Sequence, residues 1–297
     1  MIKNAITYKA ELPARLPMED HLSLNSFKEL GKETFSSSGF EPMFSGAFVK
    51  KFEGGYAFNL RYDEKILPAS VLNDELKKRV KTIETEELRD VDKKERKVIA
   101  EEIYTEFIHV ALIKSKNITC FYLTGESLLI IPTVSKKLAD IVTSRLIKAV
   151  VSIKASTIYV SSMSHGLTSK VQAYLHGDES IFKDFEVTGV CKLKGDEGLS
   201  RSFVPDDITD AKDGIIEAIN QGLRVTEIGL KNDSMSFKLN ADFQIKGIRF
   251  LAENEEEYEN PEEEFEQESA IQTFLFSNAN NALMEMFEYK EPSTEAI

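Results

Sequence analysis

The sequence predicts an α+β fold with mixed antiparallel sheets, a projecting helical arm and two to three subdomains. Short segments of alternating apolar and polar residues recur, as in half-buried strands, and segments with apolar residues at helical spacing lie between them. The two kinds of segment do not follow the regular βαβ alternation of a parallel sheet. A length of 297 residues with 42% apolar content allows a substantial core in two or three linked modules.

The first α+β module is predicted from two separate stretches, residues 1–68 and 116–165. Period-two alternation predicts strands and helical spacing predicts helices. In chain order the predicted elements are a strand at 6–12, a helix at 18–30, strands at 56–61, 119–123 and 127–132, a helix capped by Ser135, and a strand at 155–160. The helix after Ser135 is expected to turn Leu138, Ile141, Val142 and Leu146 inward.

Between these stretches, residues 69–115 predict a basic helical arm. Pro68 ends the preceding strand, and Ser70 or Asn73 can cap the helix that follows. One face of this helix carries Leu72, Leu76, Val80 and Ile83. A second helix from about 92 to 111 has an apolar side made of Val98, Ile103, Phe107 and Val110. Two helices with so few apolar positions predict a projecting hairpin.

Residues 166–297 predict a second α+β module. Its expected elements are a strand at 187–193, a helix from about Thr209 that ends at Gly222, an antiparallel meander over 224–250 and a C-terminal helix over 268–287. The acidic segment 253–268 is interpreted as a solvated linker, with mimicry of DNA as an alternative.

Charge is distributed very unevenly. The formal net charge is −13, and residues 253–268 hold ten glutamates and no base. By contrast, residues 77–97 hold nine lysines and arginines against six acids. An acidic total therefore does not exclude a nucleic-acid partner, because binding depends on where the charge lies.

Several classes of protein are disfavoured. The longest apolar runs fall short of the roughly 18 residues that cross a bilayer, and the N-terminus lacks the apolar stretch of a signal peptide, so we expect a cytoplasmic protein. Cys120 and Cys191 are expected to be reduced core residues. The four histidines have no metal-ligand spacing and no Gly-rich phosphate loop is present, so no cofactor or metal is predicted.

Five segments, in this order, resemble the bacterial RdgC family of recombination-associated proteins. They are KNAITY (3–8), DEKILPASVLNDEL (63–76), the basic arm, SKKLAD (135–140) and GLRVTEIGL (222–230). The resemblance implies a nucleoid-associated, ring-shaped homodimer. Such a protein encloses double-stranded DNA with little sequence preference, with single-stranded DNA as a second ligand, and restrains the RecA recombinase by competing for DNA.

The resemblance also implies particular contacts. It places a DNA-binding arginine at Arg89, with Lys93 and Lys94 beside it, and the arm adds Lys77 and Lys78. The family's aromatic residue at the end of the arm, near the ring closure, aligns with Leu112, and Phe107 lies nearby.

One family motif is missing. The Lys-Lys-Gln ahead of the helix that ends at Gly222 is replaced here by Asp206, Asp207 and Ile208. Either this contact moves to Lys192, Lys194 or Arg201, or this member binds DNA differently.

Two alternatives remain open beside the favoured non-enzymatic binder. Pro205-Asp206 followed by Gln244-Ile245-Lys246 loosely matches a metal-dependent nuclease core, in which acids hold Mg²⁺ and a lysine orients water. The other alternative is a protein-interaction module that acts on recombination enzymes through its acidic face. Salt separates it from a DNA binder, because phosphate binding weakens steeply as salt rises.

Overall fold

A computed structural model describes residues 2–150, 155–157, 163–251, 258 and 260–289. Within them it confirms the predicted α+β fold. The strands are β1 (Asn4–Ala10), β2 (Ser36–Glu41), β3 (Val49–Phe52), β4 (Gly55–Lys65), β5 (Ile113–Leu123), β6 (Leu128–Ile131), β7 (Ala155–Thr157), β8 (Glu186–Lys194), β9 (Ser200–Phe203), β10 (Arg224–Lys231), β11 (Met235–Asn240) and β12 (Ile245–Phe250). The helices are α1 (Arg15–Leu24), α2 (Ala69–Glu87), α3 (Lys93–Val110), α4 (Lys136–Ala149), α5 (Met163–Leu175), α6 (Lys212–Asn220) and α7 (Pro261–Met286).

The strands form one continuous antiparallel sheet. Its order is β2-β4-β5-β6-β1-β12-β11-β10-β8-β9, with β3 also beside β4 and β7 beside β1. Strand β1 joins the two halves, since Ile6 pairs with Ile131 of β6 while Asn4 pairs with Lys246 of β12. The two modules expected from the sequence therefore share a sheet.

The two faces of the sheet have different cores. On one face, α5, α6 and α7 pack on strands of both halves, and this core includes Phe121 of β5 and Ile228 of β10. On the other face, α1 and α4 cover the first half, around Phe58 and Tyr122. Ala5 and Ile6 of β1 belong to different cores because adjacent side chains of a strand point to opposite faces.

Several predicted elements are confirmed closely. Ser135 caps α4 by accepting a hydrogen bond from the Leu138 N–H at 3.4 Å, and Leu138, Val142 and Leu146 are buried. The meander is β10–β12. Beyond α6, Gly222 has φ +91°, and the N–H groups of residues 222 and 223 donate to the carbonyls of residues 219 and 218, which closes the helix as a Schellman motif.

Other predictions are corrected. Helix α1 ends at Leu24, short of residue 30, and α2 begins at Ala69 without a side-chain cap from Ser70 or Asn73. Strand β5 begins six residues earlier than predicted because it pairs with the full length of β4, down to the pair of Lys65 and Ile113. Strands β2, β3 and β9 and helix α5 were not predicted, and residues 158–160 of the last predicted strand lie outside the described residues.

The second half of the acidic segment is helical, which corrects the linker interpretation. Asn260 caps α7 through the N–H groups of Glu262 and Glu263 at 3.1 and 3.0 Å. Lys50 of β3 forms ion pairs with Glu262 and Glu266. Residues 252–257 and 259 lie outside the described residues.

Both cysteines are free and buried, as expected. Burial raises the pKa of the Cys120 thiol, and it raises that of Cys191 to about 12. In the described part of the chain, every helix is too short or too polar to cross a membrane.

Candidate nucleic-acid interface

The arm is a helical hairpin with its own small core. Helices α2 and α3 pack against each other through Leu72, Leu76, Val80, Ile83, Val91, Ile99, Ile103 and Phe107. Val98 and Val110, predicted on the apolar side, are 53% and 79% exposed. Ile99 faces the hairpin core in place of Val98. At 1.5 Å per residue, α2 carries the turn at its tip about 28 Å from its first residue.

Arginines stabilise this hairpin by pairing with its glutamates. Arg79 of α2 donates to Glu106 of α3 at 2.6 and 3.1 Å, and to Glu75 at 3.0 Å. Arg96 of α3 lies 3.4 Å from Glu84 of α2. Much of the arm's positive charge therefore links its two helices.

Arg89, the arginine favoured by the sequence, is held in the same way at the tip. Its guanidinium donates to both carboxylate oxygens of Glu95 at 2.6 and 2.7 Å and to Glu87 at 2.6 Å. These bonds raise the pKa of Arg89. The side chain is 45% exposed, but a phosphate must displace a carboxylate to reach the guanidinium edge.

The lysines of the arm are more accessible. Lys93 and Lys94 are exposed in the first turn of α3, and neither forms an ion pair within the described part of the chain. Lys77 and Lys78 are each 78% exposed, with long contacts of 3.4 Å to Asp74 and 3.8 Å to Glu75. Four of the five arm residues predicted to bind DNA are thus exposed to solvent, and two of the four, Lys93 and Lys94, form no ion pair within the described part of the chain.

A second basic surface lies on the sheet. Helices α5, α6 and α7 pack on one face of strands β8, β10, β11 and β12, and we call the opposite face of these strands the open face. Register and period-two alternation place seven basic side chains there: Lys192, Lys194, Arg224, Lys231, Lys238, Lys246 and Arg249. The same strands place two acids on it, Glu186 and Glu227. The open face is therefore strongly positive in a chain of net charge −13.

Two cross-strand pairs on this face are like-charged. Lys194 lies opposite Arg224, and Lys238 lies opposite Lys246. Like charges directly opposite each other destabilise a sheet, so these pairs oppose folding. They are the arrangement expected where an anion neutralises the surface.

Glu227 balances part of this charge. Its carboxylate lies 2.7 Å from Lys192 and 3.7 Å from Lys246, and the residue is only 9% exposed. Lys231 pairs with Glu186 at 2.9 Å. Lys194, Arg224, Lys238 and Arg249 form no ion pair within the described ranges, so they are the bases most available to a ligand.

The structure separates the three bases that the sequence offered in place of the missing Lys-Lys-Gln motif. Lys192 and Lys194 lie on the open face, whereas Arg201 of β9 pairs with Leu193 and so points to the helix-covered side. There Arg201 donates to Gln221 at 2.7 Å, just beyond α6.

A family comparison agrees with the order of motifs in the sequence. The family model described as "Putative exonuclease, RdgC" matches residues 1–290. The chain belongs to the RdgC family.

Curated relatives carry the name "Recombination-associated protein RdgC". One from Neisseria meningitidis is 26% identical over 293 residues, which cover 95% of this chain and 94% of the relative. One from Pseudomonas syringae pathovar tomato is 30% identical over 235 residues, covering 77% and 74%. One from Pseudomonas entomophila is 27% identical over 300 residues, covering 96% and 95%.

The nuclease pattern seen in the sequence is not assembled in this RdgC-family chain. Pro205 lies against Gly189 on the helix-covered side of β8, and Asp206 follows it. Lys246 lies on the open face beside Glu227. The two are therefore on opposite sides of the sheet, and the described residues hold no group of three or more His, Cys, Asp or Glu side chains placed to bind a metal ion.

The DNA contacts predicted from the sequence did not include Arg224, Lys231, Lys238, Lys246 or Arg249, and Lys246 was named only in the nuclease pattern. Their signal was present, because the alternating segment 224–250 places basic residues at outward positions of each strand. Only the strand register shows that these positions share one face with Lys192 and Lys194.

Proposed function

We propose that this protein binds DNA through the phosphate backbone, without sequence preference, and so modulates homologous recombination. The observation that carries the proposal is the open face, where seven bases meet two acids and two pairs of like-charged residues lie opposite each other on neighbouring strands. Contacts to phosphates supply affinity but carry no sequence information.

Double-stranded DNA is the favoured ligand. Proteins that bind single strands stack bases on aromatic side chains. The open-face positions of the described strands carry lysine, arginine, serine, threonine, asparagine, valine, glycine and glutamate, and no aromatic ring. Such a surface suits the regularly spaced phosphates of a duplex.

The arm supplies a second set of contacts in this proposal. Lys93 and Lys94 reach the phosphates at its tip, with Lys77 and Lys78 along α2, and Arg89 joins them when DNA displaces Glu95. We expect two copies of the chain to close around the duplex as a homodimer. Val110 and Leu112, 79% and 76% exposed at the base of the arm, supply apolar area for such a contact.

Competition gives the link to recombination. A protein that covers DNA regardless of sequence denies the same DNA to the RecA recombinase and associates with the nucleoid. The relatives' name, recombination-associated protein, supports this assignment. No catalytic step forms part of the proposal.

The test is binding of two labelled duplexes of equal length and unrelated sequence, measured by fluorescence anisotropy across a salt series with EDTA. We expect equal affinities that fall as salt rises, with a log–log slope of about 0.9 per phosphate neutralised. A parallel series with Mg²⁺ in place of EDTA measures the length of the DNA, so that any cleavage is detected. No binding at low salt would overturn the proposal, and cleavage that needs Mg²⁺ would favour a nuclease.

The arm is tested with the variant Arg89→Ala/Lys93→Ala/Lys94→Ala. We expect weaker binding with a shallower salt slope, and loss of inhibition of RecA strand exchange in proportion to the loss of DNA affinity. Inhibition that persists without DNA binding would instead indicate direct contact with the recombinase.

A further inference from the structure

A lysine cluster lies where the arm, the first half of the sheet and the open face meet. Lys114 and Lys116 of β5 pair in register with Glu64 and Tyr62 of β4, so the four side chains share one face. The first turn of α4 lies above them. Its Lys137 bonds to Glu64 and stands 5.5 Å from the centre of the Tyr62 ring.

These residues surround a cavity of about 170 Å³, lined also by Ser135 and Leu138. At ~30 Å³ per water molecule, this space holds several waters. It is too small for a nucleoside, since small-molecule pockets measure roughly 300–1,000 Å³. The size suits a single phosphate group.

The charge in this cavity is positive. Glu64 is the one acid among the lining residues, and hydrogen bonds from Lys137 and Tyr62 hold its pKa below the ordinary value of 4.5. The carboxylate is therefore ionised and already engaged. Lys114 and Lys116 are exposed and form no ion pair with any described residue, although Lys114 is near enough to help lower the pKa of Glu64. With Lys137 they set three ammonium groups against one carboxylate in the cavity.

The position of the cluster links the two basic surfaces. Lys114 follows the last residue of α3 by only four positions, at the base of the arm. On the other side, Lys136 of α4 forms an ion pair at 3.2 Å with Asp242, in the turn between β11 and β12. The sheet is continuous through β1, and the cluster lies on the same side of it as the open face.

We infer that Lys114, Lys116 and Lys137 form a phosphate site that holds the DNA backbone between the open face and the arm. This inference rests on the proposed function, because it names a further contact of the same ligand. A phosphodiester entering the cavity pairs with Lys114 and Lys116 while Glu64 keeps Lys137 in place. The path of DNA then runs from β8–β12 past the N-terminal end of α4 onto the arm.

The first test compares Lys114→Ala/Lys116→Ala with the matched control Lys183→Ala/Lys212→Ala in duplex binding across a salt series. The control removes the same charge from the helix-covered side, where the one ion-pair partner of Lys183 among the described residues is exposed Glu285. We expect the salt slope of the cluster variant to fall by about 0.9 to 1.8, for one or two lost phosphate contacts, while the control keeps the wild-type slope.

If the wild type binds duplex and the cluster variant keeps its slope, the inference is wrong and the proposed function stands. If the wild type does not bind, both are wrong. Equal thermal midpoints for the two variants confirm that lost binding does not reflect lost folding.

The second test maps lysine acetylation in the wild-type protein by mass spectrometry. We expect duplex DNA to slow acetylation of Lys114 and Lys116 severalfold relative to Lys183 and Lys212, and inorganic phosphate at the same phosphate concentration to have no such effect. Equal protection by inorganic phosphate would overturn the inference in favour of a site for free anions. Absence of protection by DNA would overturn it as well.

Discussion

The open face makes a quantitative prediction for the variant Lys194→Ala/Arg224→Ala/Lys238→Ala. These three bases form no ion pair among the described residues, so their removal leaves no buried charge without its partner. Lys192 is kept because it pairs with the nearly buried Glu227 at 2.7 Å. The variant therefore removes charge from the open face while leaving its one buried carboxylate compensated.

The magnitude follows from counterion release. Each phosphate contact contributes about 0.9 to the salt slope, so its contribution to affinity at about 0.1 M salt is about eightfold greater than at about 1 M, where counterion release is taken to contribute nothing. Three contacts then account for about 500-fold at about 0.1 M and about 25-fold at about 0.3 M, with a slope lower by about 2.7. The ratio of wild-type to variant affinity should thus shrink as salt rises.

The same variant is expected to lose DNA affinity without losing folding stability. The variant removes the repulsion between Lys194 and Arg224 and between Lys238 and Lys246, each of order 0.2–1 kcal/mol. The thermal midpoint should therefore stay level or rise slightly. A variant with reduced binding and a midpoint lowered by several degrees would mean that these side chains are structural.

The assay is fluorescence anisotropy of a labelled duplex with the wild type, the open-face variant and a control variant. The control Lys183→Ala/Arg201→Ala/Lys212→Ala removes three positive charges from the helix-covered side, including Arg201, which the sequence had placed among the DNA contacts. DNA does not contact the open face if the open-face variant keeps the wild-type salt slope, or if the slope of the control falls as much as that of the open-face variant.

Three further predictions concern the arm and the sheet. Replacing both Glu87 and Glu95 with Gln removes the two carboxylates that hold the guanidinium of Arg89, so duplex affinity should rise by up to about eightfold at about 0.1 M salt, for one added phosphate contact. Unchanged affinity would exclude Arg89 as a contact. Pairing with Arg89 and Arg79 lowers the pKa of Glu95 and Glu106 below the ordinary 4.5, so these pairs stabilise the arm above about pH 4.5 and the stabilisation is lost as the pH falls below it. Hydrogen exchange should therefore show a lower free energy of opening for the arm at about pH 3.5 than at about pH 6. Equal values at the two pH values would contradict this prediction. A Cβ added at Gly189 would lie 1.6 Å from a backbone carbonyl oxygen, so Gly189→Ala should lower the free energy of unfolding in denaturant by about 1–3 kcal/mol or more. The control is Gly125→Ala, because a Cβ there meets nothing within 4 Å. Equal unfolding midpoints for the two variants would be inconsistent with this packing.

Local patterns predicted the elements whose signals are local. The period of the Leu72, Leu76, Val80, Ile83 stripe and the capping serine at 135 depend on neighbouring residues alone, and both are confirmed. Helix α5 and strands β2, β3 and β9 were missed. Three serines and a glycine occupy four of the six positions of β2, and β9 is only four residues long with three polar residues, so neither segment shows the apolar–polar alternation that predicts a strand.

The candidate interface was harder to predict, because it depends on pairing between distant segments. Nothing local shows that Lys194 lies opposite Arg224, or that Lys114 and Lys137 meet beside Glu64. The count of charges in the sequence also overstated the positive charge that the arm can offer to DNA, because Arg79, Arg89 and Arg96 form ion pairs with glutamates.

If DNA lies on the open face, site-specific photocrosslinking will locate it there. A photoreactive amino acid at Ser236, on the open face of β11, is compared with one at Asp213, exposed on α6 on the helix-covered side. We expect duplex DNA to crosslink at position 236 and not at position 213. Crosslinking at 213 alone, equal crosslinking at both positions, or none at 236 while the duplex is bound would contradict it.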